Sequence, residues 1–340
     1  MWGATRAPFT PFPTLHTPRM ITIRTMTAAD VPLAMVLKEQ ALWNQTPADW
    51  QRFLELEPDG CFVALWQGQP AGTAAAFVFD AVGWIAMVLV HRALRGRGIA
   101  TRLLEHALAY LDQRGVRTVR LDATPLGRPI YERLGFAPQW ELARLGGVAA
   151  VSGAVSDCDG RPERGGSHPE RSEGSTLPLP IQGEILRYAQ NDMRAGLVPF
   201  SALSPAQWAG VAALDQQTSG TDRKRLLVRL DCDAPGAARA VIGDGRLRGF
   251  AMLRSGSRAT QIGPAVALDD EAGHALLHLM AQQATGRAIF IDVPEDNLPA
   301  IRWAQSQSLA VERRFTRMIR GQPIVERPEY LWASSGPEKG

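Results

Sequence analysis

One stretch constrains this chain more than any other. Trp84 to Val90 is a continuous apolar run, Arg95-Gly96-Arg97-Gly98-Ile99-Ala100 follows it, and Thr101 to Leu111 is amphipathic with a helical period. The order predicts a buried strand, a tight turn and a helix. A chain builds an anion site from its own backbone in this way. Gly96 and Gly98 let main-chain amides approach a ligand without a Cβ in between. The first helical turn has N–H groups with no intrahelical partner, and the helix dipole favours negative charge there. Arg95 and Arg97 add forked donors suited to phosphate.

Composition narrows what such a site can serve. At 340 residues the chain is long enough for two domains, and 45% apolar residues supply a substantial core. The net charge is only +3 and the arginines are dispersed, so nothing in the charge pattern calls for nucleic acid. Cys61, Cys158 and Cys232 are few, odd in number and far apart. They give neither a disulfide framework nor a metal set, and they fit a reducing, cytoplasmic compartment. No apolar run reaches the length of a membrane span.

Alternation and capping signals divide the rest. Residues 1–19 carry four prolines and no hydrophobic period, and read as a disordered extension; Met20-Ile21-Thr22-Ile23-Arg24 then alternates as a first strand. Thr27 is placed to cap a helix to Gln40, and Thr46-Pro47 to open another to Leu56. Strands follow at 61–66, 71–79 and 84–90, then a helix over 99–114, a strand over 116–122, a short helix over 125–134 and a strand from Phe136 to Leu145. Residues 146–195 lack period and read as a disordered linker. Within it, 167–174 and 184–192 resemble translated bacterial genomic repeat elements. From Leu197 the order repeats, with helices at 204–216, at 221–230 capped by Thr221, at 269–284 and at 297–307. The strands of this half fall at 237–242, 247–253, 259–268, 288–292 and 311–319. Gly68 and Gly72 match Gly245 and Gly249, Leu103-Leu104 match Leu276-Leu277, and Asp122 matches Asp292.

The turn resembles the pyrophosphate-binding motif of the GNAT (Gcn5-related) family of acetyl-CoA-dependent N-acetyltransferases, Arg/Gln-x-x-Gly-x-Gly/Ala, with Arg95, Gly98 and Ala100 at the fixed positions. Ile130-Tyr131-Glu132-Arg133-Leu134-Gly135-Phe136 is similar to the family's second signature, Tyr-x-x-Leu-Gly-Phe. The resemblance implies an α/β fold with a mixed sheet and two tandem acyl-CoA N-acyltransferase domains: a catalytic one over 20–145 and a degenerate one over 196–325, with a tail at 326–340. In the second half the turn region reads Ala265-Val266-Ala267-Leu268-Asp269-Asp270-Glu271, with acidic residues where a pyrophosphate would bind, and Trp303 or Ala304 stands in place of Tyr131. The arrangement, ending in Tyr330-Leu331-Trp332-Ala333, resembles bacterial two-domain acetyltransferases of the YitH type. It implies contact between the two halves, with Trp332 as a candidate dock.

Within the first half the resemblance implies acetyl-CoA as co-substrate, with no metal. The cofactor-binding residues are then Val88, Leu89 and Val90 for the pantetheine arm, and Arg95, Gly96, Arg97, Gly98, Ile99, Ala100 and Thr101 for the pyrophosphate. Many relatives carry an asparagine seven residues before the tyrosine; here that position is Thr124. Tyr131 matches the tyrosine that protonates the leaving thiolate. At an ordinary pKa near 10 against about 8.5 for a thiol, transfer to the sulfur is uphill by roughly 2 kcal/mol. Tyr131 therefore either has a lowered pKa or acts chiefly as a hydrogen-bond donor. Asp122 stands where some relatives carry an acid that deprotonates the amine, but its counterpart Asp292 persists in a half without a cofactor site, which favours a structural role. Trp43 and Asn44, at the junction of the first two helices, are the candidate substrate-binding residues for an amine acceptor, a small molecule or a protein. His91 reads as a surface residue. The alternative to an enzyme is a non-catalytic acyl-CoA-binding sensor or regulatory module. A nucleotide binder is disfavoured because the turn lacks the Gly-Lys-Ser/Thr ending of a P-loop.

Overall fold

In the computed structural model, residues 21–149 and 196–340 are described. The expected extension at 1–19 and most of the expected linker, 150–195, lie outside these residues.

Local chemistry explains where the first half's elements begin. The chain opens with β1 (Ile21–Thr25). Thr27 and Asp30 then form a reciprocal capping box over a short 3₁₀ turn that runs into α1 (Val31–Gln40). Thr46 and Asp49 repeat the device ahead of α2 (Pro47–Leu56), with proline at the first helical position. A meander follows: β2 (Cys61–Trp66), β3 (Gln69–Phe79) and β4 (Val82–Val90). Next comes α3 (Ile99–Gln113), whose buried residues Ile99, Leu103, Leu104, Ala107, Leu108 and Leu111 make one helical stripe against β2, β3 and β4. The half closes with β5 (Thr118–Ala123), α4 (Arg128–Arg133) and β6 (Ala137–Val148). β6 runs past Leu145: Gly146, Gly147 and Val148 pair with Phe290, Ile289 and Ala288, so these residues belong to the sheet rather than to a linker.

The second half repeats this order. β7 (Gly196–Pro199) precedes α5 (Pro205–Ser219), which Ser204 and Gln207 cap reciprocally. The next helix, α6 (Lys224–Asp233), starts two residues later than the Thr221 cap predicts, with Arg223 at the N-cap. The Thr221 hydroxyl is spent elsewhere, donating to the Phe79 carbonyl of the first half, and Asp222 Oδ1 instead accepts from Lys224 N at 2.8 Å. Then come β8 (Arg239–Gly243), β9 (Arg246–Arg254), β10 (Thr260–Ala267), α7 (Asp270–Gln283), β11 (Ala288–Pro294), α8 (Leu298–Ser306) and β12 (Ala310–Gly321). A last short strand, β13 (Leu331–Ala333), follows.

Among the described residues all thirteen strands join one mixed sheet, in the order β1-β2-β3-β4-β5-β12-β6-β11-β10-β9-β8-β7, with β13 on β10. The middle of this order departs from a simple tandem. β12 of the second half pairs with β5 of the first, and β6 of the first pairs with β11 of the second. The halves thus exchange their final strands, and β6 and β12 lie side by side at the seam.

Charge pairing fixes this exchange. Asp122 on β5 lies opposite Arg317 on β12, and Asp292 on β11 opposite Arg144 on β6. Both carboxylates are 1% exposed and each takes a forked pair of bonds, with Arg144 Nε and Nη2 both at 2.7 Å from Asp292. A register slip of one residue would send each charge to the opposite face and leave it buried alone. Behind the sheet a second bond between halves is apolar. Trp50 and Phe53 of α2 share one core with Leu226 and Leu227 of α6, and with Phe200 and Phe250.

Candidate functional site

The opening in the first half follows from where β4 and β5 part. They pair in parallel only at Val82–Trp84 with Thr118–Arg120, and diverge beyond. Where they part, β4 carries a bulge: its register with β3 shifts between Ala86 and Leu89, Met87 has φ +56°, and the Thr73 hydroxyl holds the Met87 carbonyl at 3.0 Å. Leu89 and Val90 use one backbone edge on Thr73 and Gly72 of β3, and their other edge faces the gap. The main chain expected to receive pantetheine therefore lies along an open notch.

The glycine turn sits at the mouth of this notch. Gly96 and Gly98 have φ +74° and +82°, and Gly98 is the residue that opens α3. Both are in the left-handed region, where a side chain would be strained. The first intrahelical bond there closes from Arg102 N to Gly98 O, so the preceding amides stand ahead of the ladder. Ile99 is buried and anchors the turn, while Arg95 and Arg97 are exposed around it. Arg95 Nε donates to Val90 O at 3.3 Å, and Arg97 lies over the Trp66 ring at 5.3 Å. Donors and charge are thus collected at one helix end. His91 caps the short turn before it, accepting from Ala93 N at 3.4 Å.

Deeper in the gap a small cavity of about 30 Å³, partly open to solvent, brings together five of the expected site residues: Trp43, Val88, Asp122, Thr124 and Tyr131. Thr124 accepts from Gly127 N at 3.3 Å, which leaves its hydroxyl proton free to donate. Burial pushes the Tyr131 phenol up to about 12, so the lowered-pKa alternative does not apply and Tyr131 is a protonated donor throughout the neutral range. Asp122 borders the cavity, but both carboxylate oxygens are engaged by Arg317; burial pushes its pKa up while Arg317 pulls it down. It is a strand-locking residue in a forked ion pair, which corrects its candidacy as the base. Asn44 is corrected too. Its Nδ2 donates to Ala259 O, and its Oδ1 accepts from the Arg258 and Ala259 amides at 2.9 and 3.0 Å, so its polar groups bind the other half.

The corresponding opening in the second half is filled by the chain itself. β10 and β11 pair at Thr260–Ile262 with Ile289–Ile291 and then part. β13 enters there, pairing Leu331 with Val266 and Ala333 with Ala265, and Ser334 N reaches Asp292 O at 2.8 Å. The Trp332 ring lies against α7 at Gly273, where a Cβ would come within 2.0 Å of it. Gly273 stands where Ala100 stands in the first half. Asp269 caps α7 through Ala272 N at 2.9 Å, and Arg248 bridges Asp269 and Glu271. The first turn of α7 is thus occupied by the chain's own acids and its own tryptophan. The segment 326–340 is more than a tail: Trp332 is 2% exposed within the second half's core.

Other residues that border the cavity were not among those expected. Phe315 arrives on the exchanged strand β12, and Pro337 and Glu338 arrive on the segment after β13. Gln45 lies one residue beyond Asn44 and borders the same cavity. Gln45 belongs to the same helix junction as Trp43 and Asn44, from which acceptor recognition was expected, and nothing local marks Glu338. Among the described residues no group of three or more His, Cys, Asp or Glu side chains could hold a metal ion, and no described helix is long and apolar enough to cross a membrane.

Comparison with known proteins agrees with both halves of this geometry. Residues 32–136 match the acetyltransferase (GNAT) family, and residues 211–333 match a second acetyltransferase (GNAT) domain. A putative acetyltransferase from Pyrococcus horikoshii has the same fold at a TM-score of 0.70, with 21% identity over 97% of this chain and 99% of that one. A tandem GNAT protein from the clavulanic acid biosynthesis pathway superposes at 0.57, with 16% identity over 89% and 99%. Among curated proteins, the N-alpha-acetyltransferase MAK3 of Arabidopsis thaliana is 33% identical over 31% of this chain and 60% of its own length. The holothin acyltransferase of a Pseudoalteromonas species is 26% identical over 31% of this chain and 35% of its own. The chain thus spans less than two thirds of the curated relatives it matches. With GNAT matches in both halves, together covering about two thirds of its length, the chain belongs to the GNAT acetyltransferase family and carries two GNAT domains in tandem.

Proposed function

We propose that this chain is an acetyl-CoA-dependent N-acetyltransferase of the bacterial two-domain type, with its active site in the first half. The observation that carries the reading is the open notch between β4 and β5, with the Gly98 turn at its mouth and Tyr131 bordering its interior cavity. Acetyl-CoA supplies the acetyl thioester. The amides from Gly96 to Thr101, with Arg95 and Arg97, suit its pyrophosphate, and the gap-facing edge of Val88–Val90, whose Val90 carbonyl accepts from Arg95, suits its pantetheine arm. The Thr124 hydroxyl, in the place of the family's asparagine, offers a further donor there.

Tyr131 acts at the leaving sulfur. With a pKa of about 12 against about 8.5 for a thiol, full proton transfer is uphill by about 5 kcal/mol. The phenol therefore works as a hydrogen-bond donor that strengthens as negative charge develops, and solvent completes the protonation. With Asp122 committed to Arg317, the acceptor amine loses its proton to water. The acceptor is a primary amine on a small molecule or a protein. The free thiols of Cys61 and Cys232 suit a reducing, cytoplasmic setting.

The second half supports the first without binding acyl-CoA, because β13 and Trp332 stand in its notch. A screen of amines with acetyl-CoA, read by free-thiol release, tests the activity. Turnover with at least one amine, lost in Tyr131→Phe, is expected; acetyl-CoA binding without thiol release for any amine would favour a sensor.

A further inference from the structure

The notch has one strained residue and one group that holds it. Between the pairs Thr73–Leu89 and Ala75–Ala86, two residues of β4, Met87 and Val88, stand against Ala74 alone. Met87 takes φ +56°, a left-handed conformation that a methionine adopts only under constraint. The constraint is the Thr73 hydroxyl, which donates to the Met87 carbonyl at 3.0 Å. Thr73 and Met87 are both buried, so the bond is made away from solvent. It decides where the next amide points. A trans peptide aims its C=O and its N–H in opposite directions. With the Met87 carbonyl turned towards Thr73 on β3, the Val88 N–H faces the gap between β4 and β5. Met87 and Val88 both border the cavity beside Tyr131. Further along this edge the Val90 carbonyl is already taken by Arg95.

The second half shows the same position in use. Gly249 stands where Gly72 stands, and the strand register then sets Phe250 at the place of Thr73 and Ala265 at the place of Val88. There the edge at Ala265 carries a main chain, Ala333 of β13. Phe250 has no hydroxyl to give. The half whose notch is filled by its own backbone thus lacks the holding group, and the half whose notch is open has it.

We propose that Thr73 is a positioning residue of the acyl-CoA site: its hydroxyl holds the Met87–Val88 peptide so that the Val88 N–H donates to a carbonyl of the cofactor's arm. This rests on the acetyltransferase reading above. Thr73 itself touches neither substrate nor cofactor and acts through the main chain of β4. The arm offers two kinds of carbonyl, the pantetheine amides and the thioester, and the test separates them.

The test uses the full chain and three ligands. 3′-Phosphoadenosine 5′-diphosphate has the pyrophosphate but no arm, coenzyme A adds the amides, and acetyl-CoA adds the thioester. Calorimetry gives Kd for each. Thr73→Val keeps the shape of the side chain and removes the hydroxyl. It should weaken acetyl-CoA at least about threefold, as the loss of one neutral hydrogen bond implies, and leave the armless nucleotide unchanged. Coenzyme A weakened alongside acetyl-CoA assigns the bond to an amide; acetyl-CoA weakened alone assigns it to the thioester. Thr73→Ser, which keeps the hydroxyl, should bind all three as the wild type does. Unchanged acetyl-CoA affinity in Thr73→Val overturns the proposal, and so does an equal loss for all three ligands or a loss that Thr73→Ser shares. Hydrogen exchange of the wild type needs no variant. Acetyl-CoA should slow exchange of the Val88 amide and the armless nucleotide should not; equal exchange in the two complexes also overturns the proposal. Failure of acetyl-CoA to bind the wild type at all would instead strike the acetyltransferase reading.

Discussion

Removing the Arg317 guanidinium should cost stability far more than catalysis. Its forked bonds to Asp122 are buried, and it lies between the Trp84 and Trp140 rings at 4.7 and 4.5 Å. Arg317→Met keeps most of the stem but strands a carboxylate that is 1% exposed. Breaking a buried pair from one side typically costs about 3–5 kcal/mol, a large share of the roughly 5–15 kcal/mol that holds a domain together. Asp122→Leu should cost a comparable amount by stranding Arg317. The double variant removes both charges, and its loss should be much smaller than the sum, with a coupling of at least about 2 kcal/mol. Urea unfolding of the four proteins measures this cycle. Turnover, assayed well below each midpoint, should fall less than tenfold in the double variant. Additive losses of stability would mean that the pair does not lock β5 to β12. A double variant of restored stability that had lost two to four powers of ten in turnover would return Asp122 to the role of general base.

Other outcomes follow from the same contacts. Tyr131→Phe should lower kcat substantially with little change in acetyl-CoA affinity. With the phenol at about 12, the wild-type kcat profile should show no falling limb from Tyr131 between pH 7 and 10; a limb near 8 that vanishes in Tyr131→Phe would contradict its assignment as a protonated donor. Against burial, Lys339 and Arg254 hold the Glu338 carboxyl at about 2, below its ordinary value near 4.5. Its contribution to stability is therefore complete above about pH 4.5 and lost as pH falls towards 2. Urea midpoints from pH 6 to 2 should show this decline; a decline that began only below pH 2 would refute it. Trp332→Ala empties a buried site against α7 and should cost about 3–5 kcal/mol, read by urea unfolding. A loss under 1 kcal/mol would show that β13 is only loosely seated.

The parts of this structure written in local pattern were legible in the sequence. The apolar run, the glycine turn and the amphipathic helix gave β4, the Gly98 cap and α3, and the two capping threonines gave α1 and α2. Tyr131 and Thr124 fell where the family pattern places them and share one cavity. The strand exchange was not legible, because β6 and β12 carry similar alternation and neither spells out its neighbour. Its trace was present as charge: Asp122 and Asp292 lie in apolar strands, and Arg144 and Arg317 sit inside others, so four charged side chains in strands required partners. Asn44 was misread for a related reason, since its partners Ala259 and Arg258 lie more than two hundred residues away. Gln45 and Glu338 meet across an even longer separation, which no local period records. The exchange also explains why neither half should be studied alone: each would lack the strand and the arginine that complete it.

The central claim is a single acyl-CoA site, in the first half, built on the Gly98 turn. Calorimetry of acetyl-CoA with the full chain and with Gly98→Glu tests it most directly. The variant places a carboxylate where the pyrophosphate amides converge and a side chain at φ +82°. One equivalent of acetyl-CoA per wild-type chain is expected, and none in the variant, whose circular dichroism stays native. Two equivalents per chain, or unchanged affinity in a natively folded Gly98→Glu, would contradict the account.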